Sequence, residues 1–377
     1  MPLRILIVPD KFKGSLTAHA AASAIAAGWR KARPADLIDL LPMSDGGDGF
    51  GPVLSGFIGA KPHPVRTVDA ARRPLRARWW SHSPDKTAII DSAAIIGLAL
   101  LPARKFHPFQ LDSFGLGKVM LAAAQSGAGN AVIGLGGSAT NDGGFGLAQA
   151  LDWKFFDRNW DELREWWQLA GLAHVRPPAC PLSWKVTAAV DVGNPLLGAK
   201  GCSRIYGPQK GLRPQNFVLA EKCLRRLAVV MHKHSGIDRA KMPGAGAAGG
   251  LGFGLLAFAG AKLKPGFDIF AEYARLDDRI RQADLVITGE GHIDHQTYMG
   301  KGVGQIAVRC RKARVPCLAL AGLILQPARA NALFTQTRSL LEIADAADAQ
   351  VSAGRHLREL ARRAAQAFKI PTTKISR

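Results

Sequence analysis

Apolar residues in this chain fall in short compact runs, with alanine-rich amphipathic stretches between them. LRILIVP, near the N-terminus, has the continuous apolar character of a strand covered on both faces. GSLTAHAAASAIAAGWRKA follows with helical spacing, and Ser15 or Thr17 is placed to cap it. DLIDLLPM predicts a second strand, which runs into SDGGDG and a short helical pattern, PVLSGFIG. The far end repeats this alternation. ADLVITGEG reads as a strand, GVGQIAVRCRKA as a helix, VPCLALAG and RSLLEIA as strands, and residues 351–368 as a closing helix. Strands alternating with helices imply parallel pairing in a doubly wound sheet.

The middle is patterned differently. VRTVDA, LRARWWSHS and KTAIIDSA are short strand patterns in succession with turn residues between, which predicts mixed or antiparallel pairing. Helix GKVMLAAAQSG, strands NAVIGLGG and WKVTAAVDV, and a long helix over residues 216–234 come next. GAGAAGGLGFGLLAFAGAKL is glycine-rich yet helical in its apolar spacing, and DWKFFDRNWDELREWWQ reads as a surface helix or flap with buried tryptophan faces. No internal repeat or low-complexity linker interrupts the plan. The prediction is an α/β protein. A discontinuous parallel-sheet domain comes from residues 1–62 and 281–377, a mixed α/β domain is inserted at 63–280, and the active site lies in the cleft between them.

A length of 377 residues suits two domains. No apolar run reaches the roughly 20 residues of a membrane span. The apolar part of MPLRILIVPD is too short for a signal peptide. Five cysteines without a C-x-x-C pair point to neither a disulfide framework nor a structural zinc site, and fit a reducing, cytoplasmic setting. The net charge of +21 opens the question of nucleic acid, anionic membrane or acidic substrates. The lysines and arginines are spread along the chain, however. Of the two densest stretches, ARRPLRARWW and RHLRELARRAA, the second is an amphipathic helix whose Leu357, Leu360, Ala361 and Ala364 face inward and whose arginines form a solvated face. A basic surface, or a cationic site for an anionic small molecule, is the reading preferred over a nucleic-acid module.

Candidate chemistry gathers where strands run into glycine. GLGGSATNDGG, residues 134–144, joins a strand to a helical pattern. Backbone N–H groups and a helix dipole would make an anion site there, with Asn141 and Asp142 one turn in; the alternative is a tight turn with Ser138 as helix cap. Three more clusters share the design: PDKFKGS with Asp10, Lys11, Lys13 and Ser15, SDGGDG with Asp45 and Asp48, and TGEGHID with Glu290 and Asp294. In open parallel sheets ligands bind beyond the carboxyl ends of strands, and carboxylates, lysines and glycine loops are what magnesium and phosphate require. Other motifs fail. Gly244-Ala-Gly246-Ala-Ala-Gly249 matches a dinucleotide fingerprint but no apolar strand precedes it, and Gly117-Lys118 and Gly300-Lys301 lack the earlier glycine of a Walker A loop. His292 and His295 flank Asp294 at a spacing that does not suit one helix face binding zinc.

Together, VPDKFKGSLTA, SDGGDG, IGLGGSATNDGGFG, DVGNPLLG, YGPQKG, GAGAAGGLGFG and TGEGHIDHQTYMGKG resemble the bacterial glycerate kinase family, in the family's order and over nearly the whole chain. The resemblance implies two α/β domains, one of them flavodoxin- or Rossmann-like and split in sequence. It implies phosphorylation of D-glycerate, at the 2-hydroxyl, with ATP and magnesium as cofactors; kinase action on another small hydroxy acid is the alternative. D-glycerate and ATP are the expected partners, nucleic acid and membrane are not, and the protein is expected as a monomer or a homodimer. Carried onto this chain, Asp45, Asp191, Lys13 and Lys210 are expected to be catalytic. Gly136, Gly137, Ser138, Asn141, Asp142, Ser15 and Lys301 are expected at the nucleotide, and Glu290, Asp294 and Asp48 at the metal. Asp10 and Asn194 match family positions as well, and Lys301 is expected to open the helix that follows. The chain departs from the family at His292, where arginine is usual, at Phe50, where threonine is usual, and at Leu116 in DSFGLGK, where the family often has a hydroxyl. Histidine cannot supply arginine's two-pronged donor set.

Overall fold

The computed structural model describes residues 2–44, 46–47, 49–103 and 105–369. Its strands, in chain order, are β1 (Arg4–Pro9), β2 (Leu37–Leu40), β3 (Lys61–Val68), β4 (Pro74–His82), β5 (Thr87–Asp91), β6 (Asn130–Gly134), β7 (Lys154–Phe156), β8 (His174–Arg176), β9 (Lys185–Val190), β10 (Lys262–Pro265), β11 (Leu285–Ile293), β12 (Cys317–Ile324) and β13 (Gln336–Ser339). The chain divides into two compact units, Met1–Met43 with Ala274–Arg377, and Ser44–Tyr273. These boundaries differ from those predicted at 62/63 and 280/281. The helix Phe50–Ile58 packs Phe50 and Leu54 with Trp80, Ile89 and Val132 of the second unit. The helix Leu276–Gln282 is held to the first unit, where Arg279 pairs with Asp39 at 2.9 Å and Arg309 with Asp277 at 2.7 Å.

The sheet of the first unit has the order β13-β12-β11-β1-β2, all parallel. Every residue of β1 after Arg4 is buried, as a strand covered on both faces requires. Thr17 caps the helix Ala18–Ala32, its Oγ1 accepting from the Ala20 N–H at 3.1 Å. That helix packs on Ala353–Ala367, which buries Leu357, Leu360, Ala361 and Ala364 and leaves Arg355, Arg358 and Arg363 exposed. RSLLEIA is only partly a strand: β13 stops at Ser339, whose hydroxyl accepts from the Leu341 N–H at 3.2 Å and starts a short 3-10 turn.

The second unit has a mixed sheet of order β10-β9-β6-β5-β4-β3, parallel from β10 to β5 and antiparallel from β5 to β3. DWKFFDRNWDELREWWQ forms neither the surface helix nor a uniformly buried face. β7 pairs antiparallel with β8, and a 3-10 helix, Trp166–Gly171, lies between them in sequence. Asp152 and Trp160 take positive φ, which breaks any helix there, and Trp166 is buried while Trp160 is exposed. Among the described residues no helix is long and apolar enough to cross a membrane.

Candidate active site

β6 ends at Gly134, but the next helix, Phe145–Ala150, begins only after Gly144. Ser138 therefore neither opens nor caps a helix. The glycines meet other backbone instead. A Cβ at Gly136 would lie 2.4 Å from Cα of Gly47, one at Gly144 would lie 2.6 Å from Cα of Gly254, and one at Gly249 would lie 1.9 Å from the Thr140 carbonyl oxygen. The Gly143 N–H donates to the Gly249 carbonyl at 3.1 Å. Three glycine-rich motifs far apart in sequence thus pack backbone against backbone, at distances that only glycine permits. The GAGAAGG run serves this contact: Ala248, Gly249 and Gly250 sit in left-handed conformation inside its helix.

Packing at this distance buries most of the loop's side chains. Asp142 is fully buried. Its Oδ2 accepts from the Ser113 N–H at 2.9 Å, the Ser113 hydroxyl at 2.7 Å and the Gly146 N–H at 3.0 Å, and its Oδ1 from the Gly144 N–H at 3.2 Å. It ties the loop together, its carboxylate taken up by four protein donors. Asn141 donates to the Ser203 hydroxyl at 2.9 Å, while its Oδ1 and the Thr140 hydroxyl are buried without a hydrogen-bond partner. Of the predicted nucleotide contacts in this loop, Gly136 and Gly137 reach the surface and Ser138 is buried.

Lys210 joins the same loop from a distant segment. It ends the 3-10 turn Pro208–Lys210, is buried, and donates to the Ser138 hydroxyl at 2.9 Å and to the Thr140 carbonyl at 2.6 Å. Two of the three donors of its ammonium are used in this way. Burial pushes its pKa from 10.5 down to about 8, with Cys202 and Asp142 opposing. Asp191 lies exposed just beyond β9, and its charge adds to the burial that raises the pKa of Tyr206. The Tyr206 hydroxyl donates to Asn194 at 2.6 Å. Asp45 and Asp48 lie outside the described residues.

In the first unit, acids gather at the carboxyl ends of β1 and β11. β11 continues to Ile293, so Glu290 stands on the strand opposite Ala321 and not in a loop. Glu290 Oε2 and Asp10 Oδ2 lie 3.7 and 3.8 Å from the point a Cβ would occupy at Gly302. Burial pushes Glu290 up to about 8; the Thr297 hydroxyl, donating to it at 2.6 Å, opposes this, and the charges of Asp10 and Asp294 add to it. Asp294 caps a single helical turn, accepting from the Gln296 N–H at 2.8 Å. Lys301 is exposed and precedes Gly302, the cap of helix Val303–Ala313, as the sequence predicts. Lys13 is exposed, and the Ser15 hydroxyl donates to the Phe12 carbonyl at 3.1 Å. Among the described residues no three His, Cys, Asp or Glu side chains form a metal-holding group. Glu290 and Asp10 are oxygen donors of the kind a hard divalent cation takes, and such a cation would displace the proton that burial favours on Glu290.

The sequence profile of the Glycerate kinase family matches residues 5–369. This chain belongs to the glycerate kinase family. It is similar to the glycerate 2-kinase of Escherichia coli (strain K12), 39% identical over 325 residues and 85% of each chain. It is similar also to the glycerate kinase of Bacillus subtilis (strain 168), 34% identical over 381 residues, 98% of this chain and 99% of the relative. A crystal structure from Salmonella typhimurium LT2, described as glycerate kinase 2, superposes with a TM-score of 0.81 at 31% identity, covering 96% of this chain and 97% of that one.

Two departures from the glycerate kinase pattern are core residues. Phe50 is fully buried, with its ring against Gly134, and Leu116 is fully buried in the helix Phe114–Gln125. His292 is exposed on β11. Sequence reasoning missed Asp91, a buried acid at the end of β5 that accepts from the Ala93 N–H at 3.1 Å. The rule that found the other acids, a carboxylate just past an apolar strand, applies to it equally. It also missed Ser203 and Thr297, partners of Asn141 and Glu290, for which no spacing signal exists.

Proposed function

We propose that this protein transfers the γ-phosphoryl group of ATP to the 2-hydroxyl of D-glycerate, giving ADP and 2-phosphoglycerate. The observation that carries the reading is the family match along residues 5–369, supported by 39% identity to a protein named glycerate 2-kinase. Glu290 and Asp10 would hold magnesium, with Asp294 as a further acid of the same unit and Asp48 as another candidate. The ion would supply positive charge that offsets that of the nucleotide phosphates. Lys13 and Lys301 meet phosphate oxygens, and Lys210 with the amides of Gly136 and Gly137 stabilises the charge spread over the transferring group. Asp191, with Asp45 as the other candidate, orients the 2-hydroxyl and takes its proton as the new phosphorus–oxygen bond forms and the bond to the ADP oxygen breaks. The transition state is loose, so positioning matters more than base strength. The five free thiols suit a reducing, cytoplasmic setting.

The test is an ADP-release assay with magnesium, ATP and a panel of small hydroxy acids, with enolase added to convert 2-phosphoglycerate directly. Turnover of D-glycerate with immediate enolase conversion supports the reading. A product that enolase accepts only after a mutase is added moves the acceptor to the 3-hydroxyl. Turnover of a different acid alone reassigns the substrate, and none with any acid overturns the activity.

A further inference from the structure

The second unit carries a groove of about 870 Å³ between two segments, Leu98 to Leu111 on one side and Pro208 to Pro214 on the other. Among the described residues, the ionisable side chains that line it are all bases: Lys105, His107, Lys210 and Arg213. A strongly basic protein exposes cations everywhere, so the comparison that matters is with its other cavities. One of about 690 Å³ balances Arg72, Lys154 and Arg164 with Asp112, Glu162 and Glu165. One of about 600 Å³ in the first unit carries Asp277, paired with Arg309 at 2.7 Å. A smaller one of about 320 Å³, walled by Trp153, Trp184 and prolines, carries no ionisable group. Of these four, the first alone combines bases with no carboxylate among the described residues.

We propose that this groove is the nucleotide subsite, holding the adenosine against Phe106 and the polyphosphate toward Lys210 and Arg213; this rests on the reading of the chain as an ATP-dependent kinase. Its volume lies within the roughly 300–1,000 Å³ of pockets that enclose drug-sized ligands, and far exceeds what a three-carbon acid fills. Lys210 is one of the lining residues, and its buried ammonium donates to Ser138 and Thr140. The 22-residue helix Pro214–Ser235 starts at the rim with Arg213 as its cap, so its positive end adds to the side-chain charge. His107 accepts the Phe109 N–H on Nδ1 at 3.2 Å, which leaves Nε2 as its other ring nitrogen. Phe106 and the prolines supply flat apolar surface for a purine. The groove is assembled from HPFQLDS and GPQKG, two segments that sequence spacing leaves unrelated.

The experiment measures binding of a fluorescent ATP analogue with magnesium to the full chain, in the absence of D-glycerate. Two variants are used: Ala103→Trp, which fills the groove from an exposed position, and Lys105→Ala with Arg213→Ala, which removes two of its cations. Each should raise Kd at least tenfold without changing Tm. Independently of any variant, 8-azido-ATP should label wild-type peptides covering 98–111 or 208–214. Unchanged Kd in both variants, labelling elsewhere, no nucleotide binding by the wild type, or a loss of D-glycerate binding with ATP binding intact would each overturn the proposal. Labelling at the groove in a protein that does not turn over D-glycerate would leave the subsite standing and remove the glycerate reading. Turnover of D-glycerate with variants that retain ATP affinity would do the reverse.

Discussion

Replacing Lys210 with methionine separates a functional charge from a structural one. Methionine matches the length of the lysine stem and removes the ammonium. The drop in pKa from 10.5 to about 8 corresponds to about 3 kcal/mol for keeping that charge buried at neutral pH. Against this stands the loss of its hydrogen bonds to Ser138 and Thr140, which leaves a buried carbonyl unpaired at about 1–3 kcal/mol. Asp142 is not stranded, since four donors from Ser113, Gly144 and Gly146 already satisfy it. The two effects nearly cancel, so Lys210→Met should lie within about 2 kcal/mol of wild type at pH 7, short of the roughly 3–5 kcal/mol that breaking a structural buried pair costs. Turnover should fall about a hundredfold or more, as loss of a preorganised charge usually does. The pH dependence is a second check. Because the folded-state value lies below the unfolded one, the native state releases this proton first as pH rises. Between about 8 and 10.5 the unfolded chain binds more protons, and stability climbs with pH; below about 8 the burial cost is fully present. Wild type should therefore gain up to about 3 kcal/mol relative to Lys210→Met across that window, read from paired denaturant melts. A variant that is strongly destabilised at pH 7, keeps near-normal turnover and tracks wild type with pH would show that Lys210 is a structural tie.

Glu290→Gln should lower turnover about a hundredfold or more with Tm little changed, and added magnesium should recover part of the loss in an ADP-release assay. Gly249→Ala should destabilise by about 2–4 kcal/mol in denaturant melts, because its Cβ would meet the Thr140 carbonyl oxygen at 1.9 Å and its φ is +72°. Phe50→Thr, which restores the family's usual residue, should cost about 3–4 kcal/mol, since the ring is fully buried with Trp80, Ile89 and Val132. A DNA titration near physiological salt should show only weak, salt-sensitive binding, with Kd above about 1 μM; tighter binding there would reopen the nucleic-acid reading of the +21 charge.

The alternation of apolar runs and amphipathic helices was enough to specify a parallel sheet built from both ends of the chain and an inserted mixed sheet, because strand and helix periods are local properties of side-chain burial. The positions of Asp10 just past β1 and Asp294 just past β11 were legible for the same reason: a polar residue after an apolar run marks the edge of the sheet, whereas Glu290 lies inside β11. Three things were decided only by the tertiary structure. The unit boundary moved to Met43/Ser44 because Phe50 finds its apolar neighbours on strands that come later in sequence. That Asp142 is buried and ties its loop to Ser113 could not be read locally, because two of its four donors come from another element. And the glycines of GLGGSATNDGG, which in sequence could serve a phosphate or a turn, meet the backbones of Gly47, Gly249 and Gly254. Sequence spacing shows where a chain has no side chain; what fills that space depends on long-range packing, which no local period encodes.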